Sequence, residues 1–219
     1  SPIPSGSPGT TVTTTLTLSN SGSATVTFTP QVVINGVVTN LAQVTLAPGQ
    51  TSSQVISVPL TSTGATVTAN VTAPSVADGN PANNTDTEVS GALYADVTTT
   101  VELPASAPAG TVITVTATFT NSATGGTATT ASAVVGTVTL SNGQVQTYTV
   151  GQLAPGASVS QVFTTTVPAT TGTTALSATS TVATATPESN TANNSATDSL
   201  TVLFADPGVV VNPIPSGTP

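Results

Sequence analysis

Few kinds of side chain in this 219-residue chain can do chemistry. Eight carboxylates stand with no Lys, Arg, His or Cys, for a formal charge of −8. The many Ser and Thr hydroxyls have no base to activate them, which excludes nucleophilic triads. A paired-carboxylate glycosidase site needs two acids across a cleft. Here the acids fall mostly at turns and module ends, so no enzyme activity is expected. The densest group of polar oxygens is an Asn-rich turn that occurs twice: Asp78-Gly79-Asn80-Pro81-Ala82-Asn83-Asn84-Thr85, and 110 residues later Glu188-Ser189-Asn190-Thr191-Ala192-Asn193-Asn194-Ser195.

Two chemistries suit that turn. Asp78, Asn80, Asn83 and Asp86 present hard oxygen ligands at close spacing, and Glu188, Asn190 and Asn193 repeat three of them, which is the donor type that Ca2+ takes. Alternatively the Asx side chains hold their own backbone in a turn. One carboxylate among amides supplies little charge for calcium, and Ala196 stands where Asp86 does. The turn-forming reading is preferred, and no other cofactor is implied. Asn70, Asn83 and Asn193 open Asn-x-Ser/Thr tripeptides that could accept glycans outside the cell, and the Thr-rich faces could carry O-linked sugars. Thr-x-Thr runs such as Thr114-Val115-Thr116-Ala117-Thr118 suit an ice-binding face only if flat. Sandwich strands twist, so solvent-facing Thr is the plainer account.

Composition bounds the partners. Without Lys or Arg the chain has no means of gripping phosphates, so nucleic acid and anionic membrane surfaces are excluded. No run of about 18 apolar residues is present to insert in a membrane. The chain has no cysteine and so no disulfide, and it offers trypsin no site. Thr and Val abound, and such β-branched residues favour a pleated, half-buried surface. Only six aromatics are available, so the core must be built from small aliphatics.

The rest of the chain repeats with the turn. Gly9-Thr10-Thr11-Val12 returns as Gly110-Thr111-Val112-Ile113, and Asn20-Ser21 as Asn121-Ser122, both at an offset of 101. Leu46-Ala47-Pro48-Gly49 returns as Leu153-Ala154-Pro155-Gly156 at 107. The growing offset means small loop insertions in a second module. Thr/Val/Leu alternation predicts strands over 10–19, 24–34, 37–46, 51–60, 65–73 and 85–94. In the second module it predicts them over 96–103, 111–120, 129–140, 144–153, 158–167, 173–184 and 195–204. Asn35-Gly36 predicts a type I′ hairpin. The fold class is all-β: two tandem immunoglobulin-like β-sandwiches in a repeat array, at 1–95 and 96–205. Residues 206–219 read as the start of the next repeat and a Pro-rich linker.

The second module opens on Asp96-Val97-Thr98-Thr99-Thr100-Val101, and its counterpart for the first would precede Ser1. That counterpart is found instead at the far end, as Asp206-Pro207-Gly208-Val209-Val210-Val211. Pro2-Ile3-Pro4-Ser5-Gly6 also returns, as Pro213-Ile214-Pro215-Ser216-Gly217, at a period of 211.

The Ala-Asp-Val opening, Pro108-Ala109-Gly110-Thr111, Thr120-Asn121-Ser122, Leu-Ala-Pro-Gly and the late Asn-x-Ala-Asn-Asn together resemble the DUF11/CARDB-like immunoglobulin-fold repeats of bacterial and archaeal surface proteins. The resemblance implies a β-sandwich used as stalk, adhesin or cell-wall component, and brings no catalytic residues.

The expected function is a rigid spacer of an extracellular filament, stalk or cell-surface fibre. Its partners are adjacent copies, with lateral filament contacts; the alternative is an adhesin module binding glycan or ice. Assembly follows one of two routes: a giant chain of 211-residue periods, which the repeated Pro-rich linker favours, or subunits donating Asp206, Val209, Val210 and Val211 as the missing strand.

Overall fold

The computed structural model describes residues 1–72 and 74–212. They form fifteen strands and one 3-10 turn, Pro81–Asn83. Strands β1 (Thr11–Ser19), β2 (Val26–Ile34), β3 (Val37–Asn40), β4 (Val44–Leu46), β5 (Thr51–Pro59), β6 (Ala65–Thr72) and β7 (Thr85–Ser90) lie in the first half. The second half holds β8 (Val97–Glu102), β9 (Ser106–Pro108), β10 (Val112–Asn121), β11 (Ala131–Leu140), β12 (Val145–Leu153), β13 (Ser158–Thr166), β14 (Ala175–Ala183) and β15 (Ser195–Leu203). Strands pair only within their own half. The repeated linker, Pro213–Gly217, lies outside the described residues.

In the second half a three-stranded sheet, β13-β10-β8, faces a five-stranded one, β12-β11-β14-β15-β9. The inward residues of both sheets form one core around Phe119, Leu140, Leu153, Leu176 and Leu200. This is an immunoglobulin-like β-sandwich. The first half has the sheet β3-β2-β6-β7, with β4 also on β2, over a sheet of only two strands, β1-β5. Its core is split into two smaller clusters, one around Val32 and Val58 and one around Leu18, Phe28 and Leu46.

Alternation placed most strands within two residues; three departures have specific causes. The 37–46 run breaks into β3 and β4 because Pro30 on the facing strand has no N–H to give, and Leu41 N reaches over to its carbonyl (2.8 Å). The 85–94 run stops at Ser90, because residues after it leave their sheet for the second half. Leu93 N donates to Gly6 O (2.9 Å) and Tyr94 N to Thr127 O (2.9 Å). β9, a three-residue parallel edge strand ending in Pro108, shows no alternation to read. The Asn35-Gly36 hairpin has positive φ at both residues, 51° and 83°, as a type I′ turn requires.

Candidate functional site

In the second half the Asn-rich turn grips the start of β8. Glu188 accepts from Val97 N at Oε2 (3.1 Å) and from Asn194 Nδ2 at Oε1 (2.9 Å). Asn193 Nδ2 donates to Asp96 Oδ1 (2.9 Å). Ala95, fully buried, donates its N–H to Pro187 O and accepts from Ser189 N, both at 2.9 Å.

Asn121 completes the grip from below. Its Oδ1 accepts from Asp96 N (3.1 Å) and Ala123 N (3.3 Å), and its Nδ2 donates to Thr129 O (3.0 Å) and Leu153 O (2.9 Å). Deeper in, Thr99 Oγ1 on β8 and Ser180 Oγ on β14 lie 2.6 Å apart. That bond satisfies two buried hydroxyls between the sheets.

The first half holds the same groups around a cavity of about 470 Å³ lined by Asn20, Asp78, Asn83 and Asn84. Asn20 stands as Asn121 does: its Nδ2 donates to Ala24 O (2.8 Å) and Leu46 O (3.0 Å), and its Oδ1 accepts from Gly22 N (3.0 Å). Asp78 stands as Glu188 does, accepting from Asn84 Nδ2 (2.7 Å) and Asn80 N (2.8 Å). The Asn80 amide foremost, then the Asn84 side chain, holds the Asp78 carboxyl below its ordinary 3.8. A second cavity of about 210 Å³ runs beside β1, lined by Leu16, Val32, Ile56 and Ala69 with Asp86 and Glu88. Three of the eight acids, Asp78, Asp86 and Glu88, thus lie on these two cavities.

The calcium candidates are therefore scattered. Asp78 and Asn80 meet in the turn, whereas Asp86 lies on β7, lines the other cavity and accepts from Thr87 N (3.0 Å). Glu188 is engaged as above, and Asn190 Oδ1 accepts from Ala192 N (3.0 Å). Among the described residues no three acidic side chains gather as a metal cage.

The glycan candidates differ in accessibility. Asn70 is half-buried and its Oδ1 accepts from Thr85 Oγ1 (3.0 Å). The Nδ2 of Asn193, where a sugar would attach, is given to Asp96. Asn83, in the 3-10 turn, is exposed. In a glycosylating host, peptide mass mapping after Asp-N digestion is expected to find sugar at Asn83 and none at Asn193. The reverse pattern would contradict this account of the turn.

Asn20 and Asn121 were missed as functional residues. Their one signal was the recurrence of Asn-Ser at the end of an alternating strand. The terminal candidates Asp206, Val209, Val210 and Val211 join no strand, and the three valines are 85–90% exposed.

Sheet order and core thus define an all-β chain of immunoglobulin-like sandwich class. The family model described as CARDB matches residues 94–198; the first half lies outside the match. A solution structure of a CARDB domain from Pyrococcus furiosus has 19% identity and a TM-score of 0.43, covering 51% of this chain and 97% of that one. A crystal structure of a CARDB domain from the same organism, in complex with di-metal ions, has 22% identity and a TM-score of 0.42, covering 50% and 90%. Red sea bream transglutaminase has 14% identity and a TM-score of 0.38, covering 91% of this chain and 30% of its own. No curated protein sequence matches the chain.

Proposed function

We propose that this chain is a structural repeat unit of an extracellular filament, stalk or cell-surface fibre, in which it acts as a rigid spacer joined to copies of itself. The observation that carries the reading is the joint between the halves. Over Gly91–Asp96 the backbone passes from one half to the other while hydrogen-bonded to both. To the contacts above, Tyr94 adds its hydroxyl, donated to Ser62 O (2.6 Å), and Thr129 N donates to Tyr94 O (3.0 Å). A linker held on both sides cannot swing freely, so successive units would keep a set angle. Ala92-Leu93-Tyr94-Ala95-Asp96 recurs at the exit of the second half as Val202-Leu203-Phe204-Ala205-Asp206.

Composition agrees with a passive, exposed role. The chain lacks a base for its hydroxyls and any site for trypsin, and among the described residues no helix is long and apolar enough to cross a membrane.

Electron microscopy of native material tests the reading. Unbranched threads of regularly spaced paired lobes are expected, and singly dispersed particles would overturn it. Electrophoresis in denaturant then separates the two routes. A band near 21.1 kDa means separate subunits; material many times heavier means a covalent array.

A further inference from the structure

We infer that the free edge of β1 and the cavity between Asn20 and Asp78 form one socket, filled by residues Phe204–Val211 of a second copy of this unit. This rests on the filament reading and names its contact. The incoming segment lies antiparallel to β1, as β8 lies on β10.

The second half shows the filled form, since Tyr94–Val101 occupies the same place there. Its register, Val101 opposite Ala117 and Thr99 opposite Phe119, puts Val211 opposite Leu16 and Val209 opposite Leu18. Among the described residues β1 pairs with β5 alone. Ser1 already holds one rung: its N donates to Thr15 O (3.1 Å), at the place Glu102 takes opposite Thr116. The incoming strand would therefore end where Ser1 begins. N–H and C=O of one residue in an antiparallel strand point the same way, so Thr17 and Ser19 present theirs to the free edge.

Two matched differences tie this tail to this socket. In the second half Thr99 meets Ser180, both polar and mutually bonded. In the first, Ala69 occupies the position of Ser180: it precedes Asn70, which pairs with Thr85, as Ser180 precedes Thr181, which pairs with Ser195. The tail residue aligned with Thr99 is Val209. Both members of the pair turn apolar together, so neither buries an orphan hydroxyl.

The second difference lies at the turn. Glu188 spends one oxygen on Val97 N. Asp78, one methylene shorter, spends that oxygen on Asn80 N, and the tail residue aligned with Val97 is Pro207, which has no N–H to place. Exposed by 85–90%, Val209–Val211 form an apolar run of the kind that marks a contact surface.

The test grafts Phe204–Asn212 ahead of Pro2 in the full chain, Asn212 taking the place of Ser1. Hydrogen exchange at the Thr17, Ser19 and Ser21 amides should slow at least ~10-fold as the strand pairs. The parent chain should gain mass in light scattering as concentration rises, and the grafted chain should not. Unchanged exchange at those amides would overturn the socket. So would concentration-dependent association that survives Val209→Asp with Val211→Asp, a change confined to exposed side chains. Protected amides in a protein whose native material shows no threads would uphold the socket and count against the filament.

Discussion

Asn121→Ala is expected to cost about 4 kcal/mol, because four hydrogen bonds of a fully buried side chain vanish together, and each group left unpaired in the interior costs about 1–3 kcal/mol. The bonds reach Asp96, Ala123, Thr129 and Leu153, so the loss loosens β8, a loop and the end of β12 at once. The substituted methyl cannot repay this, since burying one methyl is worth about 0.8 kcal/mol. At about 2–4 °C per kcal/mol for a chain of this size, thermal melting should fall by on the order of 10 °C. Asn20→Ala provides the comparison. Asn20 makes three such bonds, and its effect should be smaller by about one hydrogen bond, ~1 kcal/mol. Urea denaturation of both variants checks the pair; an Asn20 effect equal to or above that of Asn121 would contradict the counting.

Gly136→Ala is the second large effect, and its sign separates two principles. By strand propensity alone, glycine in a strand is worse than alanine by roughly 0.5–1 kcal/mol, so the change should stabilise. Packing says otherwise. A Cβ at Gly136 would stand 2.1 Å from Cζ and 2.3 Å from Cε1 of Phe119, whose ring is fully buried. Tyr148 lies on the same ring, its centroid 6.2 Å away, which restricts where the ring can go. Overpacking of this kind costs about 1–3 kcal/mol, so after the propensity gain the net effect should be a loss of about 1 kcal/mol. Adding Phe119→Leu should recover part of that loss, and a double-mutant cycle by thermal melting measures the coupling. A Gly136→Ala protein as stable as its parent would show that the ring moves freely.

Much of the fold could be read because its signals are local. A strand with one buried face must alternate, as Val112–Asn121 does between exposed and buried positions. Asn-Gly can take positive φ at both residues, so the β2–β3 hairpin was legible as well. Where the reading failed, the cause lay on another strand. Nothing within 37–46 announces that Pro30 interrupts its partner, and nothing within 85–94 announces that Gly91 turns to another sheet.

The candidate site divides along the same line. The recurrence of acid-x-Asn and Asn-Asn at 110 residues, and the return of the Ala95-Asp96 opening as Ala205-Asp206, stood in the order of residues, because repetition is a property of the chain itself. Whether the oxygens of Asp78 and Glu188 face a cation or an amide did not. That choice depends on which donors arrive in space: Val97 N, 91 residues from Glu188, in one half, and Asn80 N in the other. The part played by Asn121 was equally hidden, since its bond to Leu153 O spans 32 residues. Composition, alternation and period marked a repeated all-β chain. Tertiary structure alone decided that the second Asn-rich turn holds a strand, because a hydrogen bond between distant residues exists only once the sheets have brought donor and acceptor together.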